Sequence, residues 1–376
     1  MHSLSSNLLT SSFKPIAFLY YCPLAKNGQM INVETANLGQ LAIHRVGNKR
    51  KGESIFVSQE PVKLTDELSQ LLTDYFLKPF AKITEKFHFV HDVDLSYNPL
   101  NGISENIFSD KSSFFENSVL ILRHLFDQSN HPHIKTGDLF IAYFDEMHHL
   151  GEQVKAIGIF KSERKDAFLQ VEEKNKKLTI NTEKGISVKK LDKGCLILET
   201  EDGLKILSVD NNNYDAEYWK KDFLKIDYIH DENYETDAFL GLCKSFAKDV
   251  IGEETRKDEI DFVNHSIRFV EGSQEVSVDD FSDVLFSDEE TRGDFKDYKK
   301  AFEEEYELEI SDSFQVSQLV LEKQKRTIKN AIQLDTNIQL RFNFDDPDSM
   351  GKFVERGYDD QKGMHYYKVF YNEELK

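Results

Sequence analysis

Cysteine is scarce in this sequence, and the few cysteines form no recognisable pattern. Cys22, Cys195 and Cys243 lie far apart and include no CxxC pair. This spacing argues against a disulfide framework and predicts unpaired thiols in a reducing compartment. A structural zinc site is not expected either, because such a site needs several clustered ligands.

Long apolar runs are also absent. No segment reaches the roughly 18 apolar residues of a membrane-spanning helix, so no membrane span is predicted. Ile16–Leu24 resembles a signal-peptide core, but little positive charge precedes it and no small-residue cleavage site follows. We interpret residues 1–29 as a poorly ordered extension upstream of the true start at Met30. An intracellular protein is therefore expected.

Familiar catalytic motifs are missing as well. The sequence contains no GxSxG, HExxH or GxGxxG motif. Segment 47–52 has the glycine spacing of a P-loop, but Glu53 replaces the Lys that would reach the phosphates. The polar run from Asp210 begins like a calcium loop, yet Asp215 and Lys221 occupy the positions of its required Gly and Glu. These departures predict a protein that binds rather than an enzyme, with no cofactor and no metal.

One cluster of potential metal ligands keeps an enzymatic alternative open. Carboxylates and imidazoles together suit zinc or iron, so a metal-dependent enzyme or accessory protein would use these side chains. Neighbouring histidines of an extended chain point in opposite directions, which favours interpreting the cluster as an exposed loop between strands. The cluster consists of Asp145, Glu146, His148 and His149, with His131 and His133 nearby in sequence.

Charge is abundant but unevenly placed. The chain has 67 acidic and 47 basic residues, a formal net charge of -20. So acidic a chain repels other polyanions at long range, whereas DNA-binding proteins gain affinity from Lys and Arg that release counterions. Segment 253–310 alone has 20 acidic and 7 basic residues. We interpret it as solvated helix faces, with nucleic-acid mimicry or a contact surface for a basic partner as the alternatives. Its apolar sides, predicted to pack inward, carry Phe262, Ile267, Phe281 and Leu285.

Two short segments carry the opposite charge. Segment 45–51 has a net charge of +4 and segment 319–330 a net charge of +3. On charge alone, their basic residues are candidate DNA contacts. We expect those of the second segment to share an exposed face with Arg341 or with the first segment. The candidates are Arg45, Lys49, Arg50, Lys51, Lys323, Lys325, Arg326, Lys329 and Arg341.

Apolar periodicity predicts an α+β fold. An N-terminal and central antiparallel β-rich region with flanking helices is followed by a helical segment and a small C-terminal β-containing region. Residues 34–58 are predicted to form a hairpin around Gly47. Thr65 is predicted to cap a helix that Pro79 ends, and a second helix is predicted over Ser113–Phe126.

The middle of the chain predicts an antiparallel meander. Short apolar runs recur about every ten residues there, with turn residues between them. The predicted turns include Lys193-Gly194 and Asp202-Gly203. The predicted strands are Leu139–Phe144, Val154–Phe160, Ala167–Val171, Leu178–Asn181, Cys195–Glu199 and Lys205–Val209.

Helical spacing predominates after Trp219. Ser277 with Asp280 resembles a capping box for a short helix. An apolar stripe predicted as core consists of Phe239, Leu242, Phe246 and Val250. The predicted helices are Glu235–Ile251, Asp258–Val270 and Asp288–Glu305, and the predicted strands that follow are Ile338–Phe344 and Met364–Tyr371. The predicted divisions are an α+β domain over 30–212, an acidic helical segment over 213–312 and a C-terminal α/β subdomain over 313–376.

Several stretches, in the same order, resemble the bacterial 37-kilodalton nucleoid-associated protein family. They run from Met30 to about residue 372. The pattern and order of the stretches carry the resemblance. They are the opening at Met30 with QLAIH at 40–44, LIL at 196–198, YWKKDFL at 218–224, TDAFL at 236–240 with KDVI at 248–251, FQV at 314–316 and LRFNF at 340–344.

This resemblance implies a cytoplasmic protein found with the compacted bacterial chromosome. It further implies a homodimer and a type II topoisomerase as a partner, so association with DNA is either direct, through the basic segments, or through a protein. The family offers no catalytic residues to transfer onto this sequence. A nucleoid-associated protein is therefore the preferred hypothesis, and the Asp145–His149 metal site is the alternative.

Overall fold

A seven-stranded antiparallel sheet dominates the first half of the chain. A computed structural model describes residues 31–174, 176–211, 218–253, 255–342 and 349–374. The strand order in the sheet is β1-β3-β4-β7-β8-β2-β9. Its strands are β1 (Ile31–Val46), β2 (Phe87–Phe89), β3 (Gly137–His149), β4 (Glu152–Ser162), β7 (Lys193–Thr200), β8 (Gly203–Asp210) and β9 (Ile226–Tyr228). The α+β fold class predicted from the sequence is confirmed.

The hairpin predicted over 34–58 is wrong in its pairing. β1 is one long strand, and its partner is β3, with Leu41 opposite Ala142 and Val46 opposite Gly137. A single bridge between Arg45 and Phe56 is the only pairing within 34–58, all of which the structure describes. Alternation identified a strand here, but the choice of partner depends on residues almost a hundred positions away.

Helices cover both faces of the sheet. On one face, Phe76 of α1 stacks on Phe160 of β4 at 4.2 Å between ring centroids. On the other face, Leu122 of α3 is fully buried in the cluster that contains Ile157. As predicted, the Thr65 hydroxyl caps α1, accepting from the Leu68 N–H at 3.3 Å. The three helices are α1 (Asp66–Leu77), α2 (Pro99–Ser109) and α3 (Phe114–Gln128).

The predicted meander is present in β3, β4, β7 and β8, which are neighbours in the sheet. Two intervening strands, β5 (Asp166–Lys174) and β6 (Lys177–Gly185), pair only with each other among the described strands. Gly203 has φ +107°, as the predicted turn requires. The turn predicted at Lys193-Gly194 is wrong, because these residues open β7. A Cβ on Gly194 would lie 2.8 Å from Leu191, so close packing explains the glycine.

A single π-helical turn over Tyr218–Leu224 leads into β9. Trp219 and Phe223 are fully buried against the α3 side of the sheet. These residues therefore pack with the sheet, beyond residue 212, at which the first domain is predicted to end. The domain boundaries remain predictions, and residues 1–29 lie outside the described ranges.

A second core lies among helices. The predicted stripe is confirmed at Phe239, Leu242 and Phe246, which are fully buried, whereas Val250 follows the end of its helix and is 37% exposed. The Ser277 hydroxyl accepts from the Asp280 N–H at 3.2 Å, as its predicted cap role requires. The elements are α4 (Glu232–Asp249), α5 (Arg256–Glu271), β10 (Glu275–Ser277), α6 (Val278–Leu285), α7 (Glu289–Tyr306), β11 (Ser313–Gln315) and α8 (Gln318–Lys325). β10 pairs with β11.

The C-terminal part consists of two small strand pairs joined by a short helix. Ile332, Met350 and Val354 form its core with Ile260 of α5. The strand predicted over 338–344 is shorter, and residues 343–348 lie outside the described ranges. The elements are β12 (Ala331–Gln333), β13 (Gln339–Arg341), α9 (Ser349–Phe353), β14 (Val354–Asp359) and β15 (Met364–Val369).

Candidate nucleic-acid interface

The first basic segment, residues 45–51, occupies the end of β1 and a 3-10 turn. Asn48 holds this turn, because its fully buried amide donates to two carbonyls of the loop 131–134 at 2.8 Å each. Gly52 ends the turn with φ +71°, a left-handed conformation in which glycine is favoured. The turn is therefore fixed against the body of the protein.

Neighbouring carboxylates neutralise half of the charge in this segment. Arg45 pairs with Asp138 at 2.8 Å, and Lys49 pairs with Asp127 at 2.7 Å. Lys51 makes a longer contact, 3.4 Å from its Nζ to a backbone carbonyl. Among the described residues, Lys51 and the exposed Arg50 have no carboxylate within ion-pair distance. The segment therefore offers fewer free cations than its sequence charge indicates.

The second basic segment, residues 319–330, covers most of α8 and the residues that follow it. Lys323 donates to the Thr84 hydroxyl at 3.0 Å, which joins α8 to the sheet side of the molecule. Lys325 pairs with Glu271 at 2.7 Å and Glu322 at 3.3 Å, and the hydrogen bond to Glu271 is the main cause of its raised pKa. Lys323 and Lys325 are thus engaged within the protein.

Three further candidate cations near α8 have no ion-pair partner among the described residues. Arg326 and Lys329 are exposed, and no described carboxylate lies within ion-pair distance of either. Arg341 is exposed on β13. It lies opposite Ala331, which follows Lys329 by two positions in the sequence. The N–H of Phe342 donates to the Asn330 carbonyl at 2.8 Å and closes this pairing. The pairing of β12 with β13 therefore places Arg341 close to the second segment. Segment 45–51 is instead held by contacts with residues 127–138.

A cleft of about 270 Å³ opens beside Lys329, between α4, α5 and the segment that follows α8. We call it the α4–α8 basic cleft. Among the described residues, its walls include four cations and one carboxylate, with the apolar Ile260, Val263 and Ile328 between them. The cations are Lys244, Lys248, Arg256 and Lys329, and the carboxylate is Glu259.

Hydrogen bonds fix two of these cations in place. The Lys244 ammonium donates to the Thr327 hydroxyl at 3.2 Å and also to the side chain of Gln324. Partial burial lowers the pKa of Lys244. Arg256 pairs with Glu259 and also donates from Nη2 to the Lys329 carbonyl at 3.5 Å. The Lys248 ammonium also lies 4.0 Å from the Asp249 carboxylate, so two of the four cations have a carboxylate within ion-pair distance. The cleft therefore keeps its positive charge mainly through Lys244 and Lys329.

Sequence reasoning missed three of the four cations. Lys244 and Lys248 are one helical turn apart on α4, which we interpreted only by its apolar stripe. Arg256 lies inside the acidic segment 253–310, where local net charge concealed it. The i, i+4 spacing of the two lysines was the available signal, but their convergence with Lys329 depends on how α4, α5 and α8 pack.

The acidic segment folds as helices with apolar inner faces, as predicted. Phe262, Ile267 and Phe281 are buried in the helical core, and Leu285 packs against it half-buried. Several acidic side chains pair with cations of the same segment, such as Asp283 with Arg292 at 2.9 Å and Asp279 with Lys296 at 2.8 Å. This part of the surface repels DNA phosphates.

The candidate metal ligands of the alternative hypothesis do not converge in the described part of the chain. Asp145 pairs with Lys111, and the His148 ring lies 3.0 Å from the Thr35 hydroxyl. His149 is 3% exposed. No group of three or more metal-ligating side chains occurs among the described residues. The loop interpretation is also wrong, because β3 continues through His149 and the turn to β4 follows.

The two cysteines in the described ranges are free and buried, as the absence of a pattern predicts. Burial raises the pKa of both Cys195 and Cys243 far above the ordinary thiol range. Thiols of this kind stay protonated and are poor nucleophiles. Cys22 lies outside the described residues.

Comparison with known proteins identifies the family. A family model described as nucleoid-associated protein YejK matches residues 42–362. The chain belongs to this nucleoid-associated family. The match covers the basic segments and the α4–α8 basic cleft, so the candidate interface lies within the family's common region. A search of curated proteins finds no match. Within the described ranges, the structure has no helix of the length and apolarity needed to cross a bilayer.

Proposed function

We propose that this member of the nucleoid-associated family binds the DNA phosphate backbone directly, through the α4–α8 basic cleft and the neighbouring Arg326 and Arg341. The observation that carries the proposal is the convergence of four cations on a cleft with one carboxylate among its described lining residues. Phosphate contacts by Lys and Arg need no particular base sequence. The expected mode is therefore general backbone binding.

The overall charge of -20 does not prevent such contact. Exposed charges separated by more than about 10 Å are largely screened at 0.1 M salt, so the local charge decides the contact. The acidic helices repel the duplex elsewhere and restrict the orientations in which the protein can approach it. The binding is therefore expected to be weak and strongly salt-dependent.

A titration of duplex DNA at several salt concentrations tests the proposal. Arg326→Gln/Lys329→Gln should reduce the slope of log K against log salt by about 1.8, since each lost phosphate contact removes about 0.9. Arg50→Gln/Lys51→Gln, which removes the same charge from segment 45–51, is the matched control and should change the slope less. Equal effects of the two variants would contradict a localised interface.

Association through a protein is the other route to the chromosome. The family resemblance suggests a type II topoisomerase as that protein, a cytoplasmic location and a homodimer. Pull-down from bacterial lysate with and without nuclease separates the routes. Loss of chromosomal partners on nuclease treatment supports direct DNA contact, whereas a retained protein partner together with no binding of purified DNA would replace it.

We propose a binding role rather than a catalytic one. The sequence motifs fail at specific residues, and the candidate ligands near Asp145 do not converge among the described residues. The buried thiols also lack the low pKa that nucleophilic cysteines need.

A further inference from the structure

A two-stranded arm projects from the sheet between β4 and β7. β5 and β6 pair over nine residues each, from Asp166 opposite Gly185 to Lys174 opposite Lys177. Among the described strands, they pair with no others. An isolated two-stranded ribbon is only marginally stable in water and gains stability when one face is covered.

One face of the arm is apolar and open to solvent. Side chains that alternate along a strand share a face, and residues opposite each other in an antiparallel pair lie on the same side. Val171 is opposite Ile180 on this face, and Leu178 is opposite Glu173. The exposed fractions are 70% for Leu169, 59% for Val171, 74% for Leu178 and 67% for Ile180.

The opposite face is different. Phe168 lies there over Gly185, where an added Cβ would come within 2.9 Å of the ring. The other positions of that face are polar, with Gln170 opposite Asn181 and Glu172 opposite Thr179. The arm is therefore amphipathic: both faces are largely exposed in the described structure, and the apolar side chains are concentrated on one of them.

Charge favours a second copy of this chain as the cover. Residues 166–185 contain four acidic and four basic residues, so the arm is neutral within a chain of net charge -20. Two acidic molecules repel each other least where they are locally neutral. A contact between arms avoids the repulsion that the acidic segment 253–310 would produce.

The charges on the apolar face are also self-complementary. Lys184 lies at the base of this face, opposite Ala167, and Glu173 lies near its tip. Neither side chain makes an ion pair or hydrogen bond with another described residue. When two arms pack face to face about a two-fold axis and run in opposite directions, the tip of each lies over the base of the other. Glu173 of each copy then meets Lys184 of the other.

We propose that the β5–β6 arm is a homodimerisation surface, in which Leu169, Val171, Leu178 and Ile180 pack against the same face of a second copy and Glu173 pairs with Lys184 across the two-fold axis. The inference gives the proposed homodimer a specific interface. It is independent of DNA binding, because the dimer is measured in the absence of DNA.

Sedimentation or light scattering of the full chain over a range of concentrations tests the apolar contact. Val171→Lys/Ile180→Lys should weaken dimerisation by about 30-fold or more, the factor typical of interface hot spots. Gln170→Lys/Asn181→Lys adds the same charge to the opposite face and should leave the dimer intact. A wild-type chain that is monomeric throughout, or a dimer that survives Val171→Lys/Ile180→Lys, overturns the proposal.

Charge exchange between copies tests the two-fold arrangement. Glu173→Lys alone and Lys184→Glu alone should each weaken the dimer, because like charges then face each other at both ends. An equimolar mixture of the two variants should restore association, since each end of a mixed dimer regains an opposite pair. A mixture no stronger than the separate variants overturns the arrangement. Circular dichroism checks the fold of these variants, and a DNA titration of each reports on the cleft separately.

Discussion

Arg256 donates from Nη2 to the backbone carbonyl of Lys329 at 3.5 Å, across 73 residues of sequence. This contact joins the start of α5 to the segment after α8 and brings a cation of the acidic helical region beside one of the basic segment. The positive charge of the α4–α8 basic cleft therefore depends on tertiary packing as well as on sequence.

Two substitutions at Arg256 should distinguish the effect of its charge on DNA binding from the effect of its planar side-chain geometry. Arg256→Gln removes a cation and should reduce the salt slope of DNA binding by about 0.9. Arg256→Lys keeps the charge but loses the planar fork of donors, so it should retain most of the slope. Duplex titrations at matched ionic strengths measure both. Equal slopes for Arg256→Gln and the wild type would place the DNA contact elsewhere.

The free energy of unfolding should fall as the pH is lowered below about 6.5. Burial lowers the pKa of His44 from its ordinary value of 6.5. Its Nδ1 accepts the Ser58 N–H at 3.2 Å, so protonation of this nitrogen would break a hydrogen bond. The unfolded chain binds the proton at a higher pH than the folded chain, so the stability present above the ordinary pKa is lost toward the lowered one.

Urea unfolding at pH 7.5 and pH 5.5 measures this loss. His44→Gln cannot titrate and should show a smaller difference between the two conditions. His124, whose pKa burial also lowers, adds to the loss in both proteins and serves as the internal reference. An unchanged pH difference in His44→Gln would contradict the role assigned to His44.

Truncation of Phe246 should destabilise the helical part strongly. Its fully buried ring meets Phe295 edge-on, with 5.0 Å between centroids, and packs near Phe262 at 5.7 Å. Phe246→Ala leaves a cavity and should lower the free energy of unfolding by about 3–5 kcal/mol. Val284→Ala, at a position that is 69% exposed, should stay within about 0.5 kcal/mol. Urea denaturation compares them.

Purified protein should bind no stoichiometric zinc or iron through the Asp145–His149 cluster. A metal at Asp145 would have to displace the ammonium of Lys111. Elemental analysis after dialysis against buffered metal gives the stoichiometry. One bound ion per chain that is lost in Asp145→Asn/His148→Gln would revive the metal-dependent alternative.

Local features were predictable from the sequence because their causes are local. Thr65 and Ser277 cap helices with their own hydroxyls, and the Phe239–Phe246 stripe follows from helical periodicity. β1 was recognisable as a strand, but its pairing with β3 was not, because alternation gives the face of a strand and not its neighbour. The turn predicted at Gly194 was wrong for a similar reason, because this glycine leaves space for the Leu191 side chain and does not form a turn.

The candidate site was predictable only in part. Arg326, Lys329 and Arg341 stand out by charge, and β12–β13 pairing brings Arg341 near Lys329. Lys325 stood out equally, but ion pairs with Glu271 and Glu322 occupy it. Whether a cation is available depends on neighbours from distant segments, and this information is not present in local composition.

The placement of the helices also makes the distribution of charge in the helical part asymmetric. α8, with its basic flank, contacts α4 and α5, whereas the acidic α7 contacts α4 and α6. Such a separation of charge produces an electric dipole moment on the helical part. In the field of a polyanion, a dipole experiences a torque before net repulsion ends the approach. For the DNA contact proposed above, the expected first effect of a duplex on this protein is therefore rotation rather than attraction, which would turn the basic flank toward the duplex.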